Sequence, residues 1–144
     1  MLPSKNNGVE IVPETTNDGS FILYDLKVEV IKPRGEHVCS HTVGDYFLLR
    51  GEQLSIPEGQ FSIYSLAALM PHLTVHQREL NENDWMMTDD IIACPDPHCG
   101  GLFMITRTNK TVIRRSDTSV VPKDAKDRRA LIPRLVYPNG IKAG

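Results

Sequence analysis

FILYDLKVEVIK, residues 21–32, decides how this chain is read. Leu26, Val28 and Val30 alternate with Lys27, Glu29 and Ile31, the two-residue period of a strand with one apolar face. PRGEH ends the run. DYFLLR (45–50) reads as a second strand, Arg50-Gly51 as a turn, and 54–56 as a short third strand. Pro57-Glu58-Gly59 turns the chain again. In SIYSLAALMPHL, Ile63, Leu66, Ala67, Met70 and Leu73 fall near a 3.6-residue period. Ser62 is a fair N-cap, so a helix is expected over 62–70 with Pro71 ending or interrupting it. IIA (91–93) and LFMIT (102–106) read as two strands joined by CPDPHCGG, and TVIRR (111–115) as a further strand. The sum is an α+β domain: a small, mostly antiparallel sheet with one main helix.

The domain is expected to span residues 21–106. Residues 1–20 are polar, with two prolines and two glycines, and read as an N-terminal arm. Residues 107–144 read as an extended C-terminal tail. Charge separates the two parts. Residues 1–105 hold 6 basic and 15 acidic side chains, and residues 106–144 hold 10 basic and 3 acidic. A basic tail on an acidic body points to a protein partner or to self-association through residues 107–144. Nucleic acid is the weaker choice, because the tail has one aromatic residue, Tyr137, to stack on bases. No apolar run approaches the ~20 residues that span a bilayer, and the first residues lack the apolar core of a signal peptide. The expected place is the cytoplasm, where three cysteines serve as thiols or metal ligands rather than disulfides.

The cysteines are not scattered. Cys94 and Cys99 flank a turn stiffened by Pro95 and Pro97, and Cys39 lies in EHVCSH between His37 and His41. The four residues between Cys94 and Cys99 suit a pair of ligands to one ion. Gly100 and Gly101 would let backbone amides approach a thiolate. Were 37–41 a strand, residues 37, 39 and 41 would face one way. The expected zinc ligands are Cys39, His41, Cys94 and Cys99, with His37 or His98 as substitutes. The plain alternative is that Cys39 and Cys94 are small buried apolar groups and CPDPHCGG is only a turn. A third is thiol chemistry.

Other candidates are weaker. His72 and His76 are spaced four apart and read as surface histidines, since Pro71 makes their helix doubtful. Trp85, Met86 and Met87 read as a core plug or interface anchor. The chain has no phosphate-binding glycine loop, nucleophile elbow or H-E-x-x-H motif.

The order of motifs resembles a family of small, functionally uncharacterised bacterial proteins. These motifs are KVEVIK, Cys39 followed closely by Gly44, Pro-Glu-Gly at 57–59, an apolar helix ending near MPHL, Asp84-Trp85, and Cys94-Pro95-Asp96. The resemblance covers about residues 24–106. It implies that Cys39 and Cys94 lie close together, and it brings no activity. The chain departs from it after the Pro-Glu-Gly turn, where a further cysteine is usual and QFSIY stands instead; Cys99 would compensate.

Two functions follow as expectations. The first is a metal-binding accessory or adaptor subunit of a larger enzyme or homo-oligomeric assembly, with zinc tying the last hairpin to the first strand. The second is a metal-dependent enzyme whose ion keeps an open position, with Asp96 or His98 as acid–base partner.

Overall fold

The computed structural model describes residues 19–131, of which Leu131 is described in backbone only. The arm before residue 19 and the tail after 131 lie outside the described residues. Five antiparallel strands form one sheet: β1 (Ser20–Ile31), β2 (Tyr46–Arg50), β3 (Gln53–Ser55), β4 (Ile91–Ala93) and β5 (Leu102–Arg114), in the order β3-β2-β1-β5-β4. The fold is the small α+β arrangement expected, with one main helix, α1 (Ile63–His76).

The period-two pattern of β1 sets the core. Leu26, Val28 and Val30 are buried, and Phe47, Leu49, Phe103 and Ile105 from β2 and β5 join them. Burying a side chain of this size stabilises by about 1.5–3 kcal/mol, so this face drives the fold. The opposite face carries half-exposed Lys27 and Glu29, with the Lys27 ammonium 4.8 Å from the Tyr46 ring.

Helix α1 covers the core with a face that the apolar spacing does not predict. Its buried residues are Ser65, Leu69, Leu73 and His76, spaced 4, 4 and 3, while Ile63 and Met70 are exposed. Two of the four inward positions are polar, so counting apolar residues selects the wrong side. Pro71 does not end the helix, which runs on to His76. A proline lacks the N–H for one helical bond, and the exposed position of Pro71 leaves its ring free of the sheet. His76 is therefore buried rather than on the surface.

Strand β5 is also longer than its sequence suggests. It pairs with β1 from Leu102 to Arg114, with a bulge opposite Tyr24 and Leu26. Residues 107–114 thus belong to the sheet, not to a tail beginning at 107. Arg107 stacks over Tyr24, 4.2 Å from the ring centre. Its Nε donates to the carbonyl of His76 (2.8 Å) and its Nη2 to that of Arg78 (2.7 Å). A charge read as belonging to a basic tail thus caps the C-terminal end of α1, where the helix dipole favours it. Beyond β5 the described chain has only short turns of helix, α2 (Arg115–Thr118) and a 3-10 turn at Arg129–Leu131. No described helix is long and apolar enough to cross a membrane.

Candidate metal centre

Strands β4 and β5 hold the knuckle between them. Ala93 pairs with Leu102, and the Cys94 N–H donates to the carbonyl of Gly101 (2.9 Å). Inside it, the His98 N–H donates to Asp96 Oδ1 (2.9 Å) and the Cys99 N–H to the carbonyl of Asp96 (3.0 Å). These bonds of an Asx turn fold Cys99 back toward Cys94.

The loop between β1 and β2 is irregular over 32–45 and is tied to the knuckle through Gly100. The Arg34 N–H donates to the Gly100 carbonyl (2.8 Å), and the Gly100 N–H to the carbonyl of Glu36 (2.7 Å). A Cβ at Gly100 would fall on the Arg34 carbonyl group, so only glycine allows this approach. The amides of Val38 and Cys39 then reach Cys99 Sγ, as does that of Gly101.

The result is a cluster of all three sulfurs. Cys39 Sγ lies 2.7 Å from Cys99 Sγ and 3.2 Å from Cys94 Sγ, and all three cysteines are free. The charge is unevenly shared. A hydrogen bond from Cys39 outweighs burial and, with the three backbone amides, pushes the Cys99 thiol down to about 6. Burial and the two neighbouring sulfurs push Cys39 up to about 12. Cys99 is therefore the ready-made thiolate and Cys39 the thiol that donates to it.

His37 is the histidine that joins two of the sulfurs, and Cys94 is outside that group. Donor atoms of His37, Cys39 and Cys99 lie within 4.8 Å of one another, a group that could hold a metal ion. Its Nε2 is buried without a hydrogen-bond partner. His41, the expected fourth ligand, is not in that group, although its Nε2 too is buried without a partner. Residues 37–41 do not form a strand, so alternation does not bring 37, 39 and 41 to one face. The His41 ring packs 4.4 Å from Phe61 and 5.5 Å edge-on to Phe103, and burial lowers its pKa. It extends the apolar core as a neutral ring. His98 is exposed and is no substitute in this arrangement. Tetrahedral zinc with thiolates at about 2.3 Å sets its sulfurs about 3.8 Å apart. The sulfurs here stand closer, so an ion would enter by parting Cys39 from Cys99.

A cavity of about 390 Å³ opens on one side of the cluster. Cys39 and Cys94 form part of its wall, with Ser62, Tyr64 and Ser65 from the start of α1 and Asp96 from the knuckle. Asp96 therefore faces a space beside the sulfurs. Ser62 and Ser65 carry no sequence signal for this position, because only the packing of α1 brings them there.

No family model, curated protein or solved structure matches the chain.

Proposed function

We propose that this protein is a small zinc-binding domain in which Cys39, Cys94, Cys99 and His37 hold the ion and tie the β4–β5 knuckle to the loop after β1. The observation that carries this reading is the meeting of His37 with the sulfurs of Cys39 and Cys99, with the Cys94 sulfur 3.2 Å from that of Cys39. Three thiolates and one imidazole are a usual donor set for structural zinc, and four protein donors close the site. Backbone amides on Cys99 are the outer contacts that orient and charge such a ligand. A tie of this kind suits an accessory or adaptor subunit in a reducing compartment. Ile63, Tyr64 and Met70 stand exposed on α1, an apolar surface of the sort that partners cover. The residues after β5 would add to that contact.

The test is metal content of the purified protein, followed by X-ray absorption on the zinc form. One zinc per chain with three sulfur and one nitrogen neighbours is expected. A chain that takes up no zinc, with all thiols titratable in the folded state, overturns the reading.

A second reading has one observation in its favour, the cavity against Cys39 and Cys94. Were Cys94 to leave the ion, an exogenous oxygen would take its place, and Asp96 would stand by as the proton acceptor of a metal-dependent hydrolytic enzyme. Two sulfurs, one nitrogen and a light oxygen neighbour in the same absorption spectrum would favour it.

A further inference from the structure

The other end of α1 holds a second set of donors, none of them a cysteine. His76 is 6% exposed. Its Nδ1 lies 2.8 Å from the carbonyl oxygen of His72. A carbonyl only accepts, so Nδ1 carries the proton and Nε2 of the neutral ring is a bare lone pair. That Nε2 is buried and has no hydrogen-bond partner. An imidazole locked through Nδ1–H onto a backbone carbonyl, with its other nitrogen free, is the form in which histidine binds metals.

His76 forms part of the wall of a cavity of about 220 Å³, together with Met86, Met87, Asp90, Thr106 and Arg107. Arg107 is committed elsewhere, to the carbonyls of His76 and Arg78. Besides apolar Ile105, the Thr106 hydroxyl and the Arg107 guanidinium, whose charge two carbonyls and the Asp90 carboxylate offset, the wall offers one imidazole and two thioethers as electron-pair donors. Such a wall suits a cation. The two thioethers decide which kind: they are soft ligands that select copper(I), while magnesium or calcium would need several oxygens.

We infer that this cavity is a binding site for a soft monovalent metal ion of the copper(I) class, held by His76 Nε2 and the sulfurs of Met86 and Met87. The 3-10 turn at Trp85–Met87, capped by Asp84 Oδ1 on the Met86 N–H, brings both methionines to the cavity. Their three rotatable bonds let the sulfurs close on an ion without moving the backbone. Met86 is buried and Met87 is 44% exposed, which gives the ion a way in. The inference does not depend on zinc at the cysteines.

The probe is silver(I), which has the same ligand preference and does not cycle redox state under these conditions. It is titrated into protein carrying ¹³C-methyl methionine, observed by NMR. The thiolates take the first silver. The expected result is a further equivalent that shifts the methyls of Met86 and Met87 and the ring of His76, and leaves Met70 on the far face of α1 in place. Met86→Leu and Met87→Leu keep the volume of the side chain. Each should weaken that further equivalent at least tenfold while thiol uptake is unchanged. Copper(I) supplied anaerobically should behave alike. Methyl signals that stay fixed after the thiols are saturated, or leucine variants that bind as the parent does, overturn the inference and leave the His76 nitrogen to a buried water. Failure of the cysteine centre would show instead in the first equivalents, so the two outcomes separate.

Discussion

The two cysteine-bearing stretches are built in opposite ways. The knuckle, 94–101, carries its own geometry. Its ends are fixed by the β4–β5 ladder, and its middle by Asp96 accepting from the His98 and Cys99 amides. The loop 33–42 has little of its own. It takes its course from two backbone hydrogen bonds to Gly100 and from the return of Gly44 N–H to the Val30 carbonyl (2.8 Å). One stretch is a mould, and the other is cast against it. A donor set shared between them therefore depends on a contact that neither stretch encodes alone.

Gly100 is where that comparison breaks most completely. Gly100→Ala drives a methyl group into the Arg34 carbonyl, and neither backbone can retreat without losing a hydrogen bond. The expected cost is about 2–4 kcal/mol of stability, read as a lower urea midpoint at unchanged slope. Zinc uptake should fall with it, because the Val38 and Cys39 amides leave Cys99.

The two histidines of the loop sharpen the comparison next, since they should fail differently. His41→Ala empties a place between Phe61 and Phe103, and should cost about 2–4 kcal/mol in metal-free protein, by analogy with large-to-small core changes. Its zinc affinity, measured against a competing chelator, should change little once stability is allowed for. His37→Ala should do the reverse. The metal-free stability should stay within about 1 kcal/mol. If His37 is one of the four ligands proposed, its loss should lower zinc affinity at least tenfold. Equal behaviour of the two variants would remove His37 from the site.

This contrast also shows why the site was only partly legible. Cys94 and Cys99 stand out because their ladder, prolines and glycines are local signals. The choice between His37 and His41 turns on whether 37–41 is a strand, and no residue there says so: the loop's path is set by Gly100, 59 to 63 residues away in sequence. The same holds for the fold. Strand β1 announces itself by alternation. The inward face of α1 does not, because Ser65 and His76 occupy positions that an apolar count assigns to Ile63 and Met70. Arg107 reads as tail charge, and only pairing of β5 with β1 shows it as the cap of a helix 30 residues upstream.

That cap gives a smaller effect at the end of α1 away from the knuckle. Arg107→Ala removes the donor to two carbonyls at the helix end and the cation over Tyr24. The guanidinium is partly exposed, so water replaces some of what is lost. The expected cost is about 1–2 kcal/mol, seen as a lower thermal midpoint, with zinc affinity unchanged. A fall in zinc affinity would mean that the position of α1 reaches the cysteines through Ser62 and Ser65.

The smallest effect should come one residue from the largest. Gly101 sits among the three cysteines, and a Cβ there would stand 3.4 Å from Cys39 Sγ, Cys94 Cβ and Cys99 Sγ. These are tight but ordinary van der Waals contacts, and the backbone of Gly101 does not require positive φ. Its amide, which donates to Cys99, is kept in alanine. Gly101→Ala should therefore cost less than about 1 kcal/mol in the metal-free protein. The zinc form is the sharper case. An ion would part the sulfurs of Cys39 and Cys99, and the new methyl would lie beside the space they move through. If the ion sits on the far side of the sulfurs from Gly101, affinity is unchanged, and the two glycines differ because one meets rigid backbone and the other meets side chains that can turn. If affinity falls tenfold or more while the metal-free protein is unaffected, the ion lies on the Gly101 side, under the backbone amides, and away from the cavity that Cys39 and Cys94 share. That outcome would close the site to small molecules and weigh against the catalytic reading.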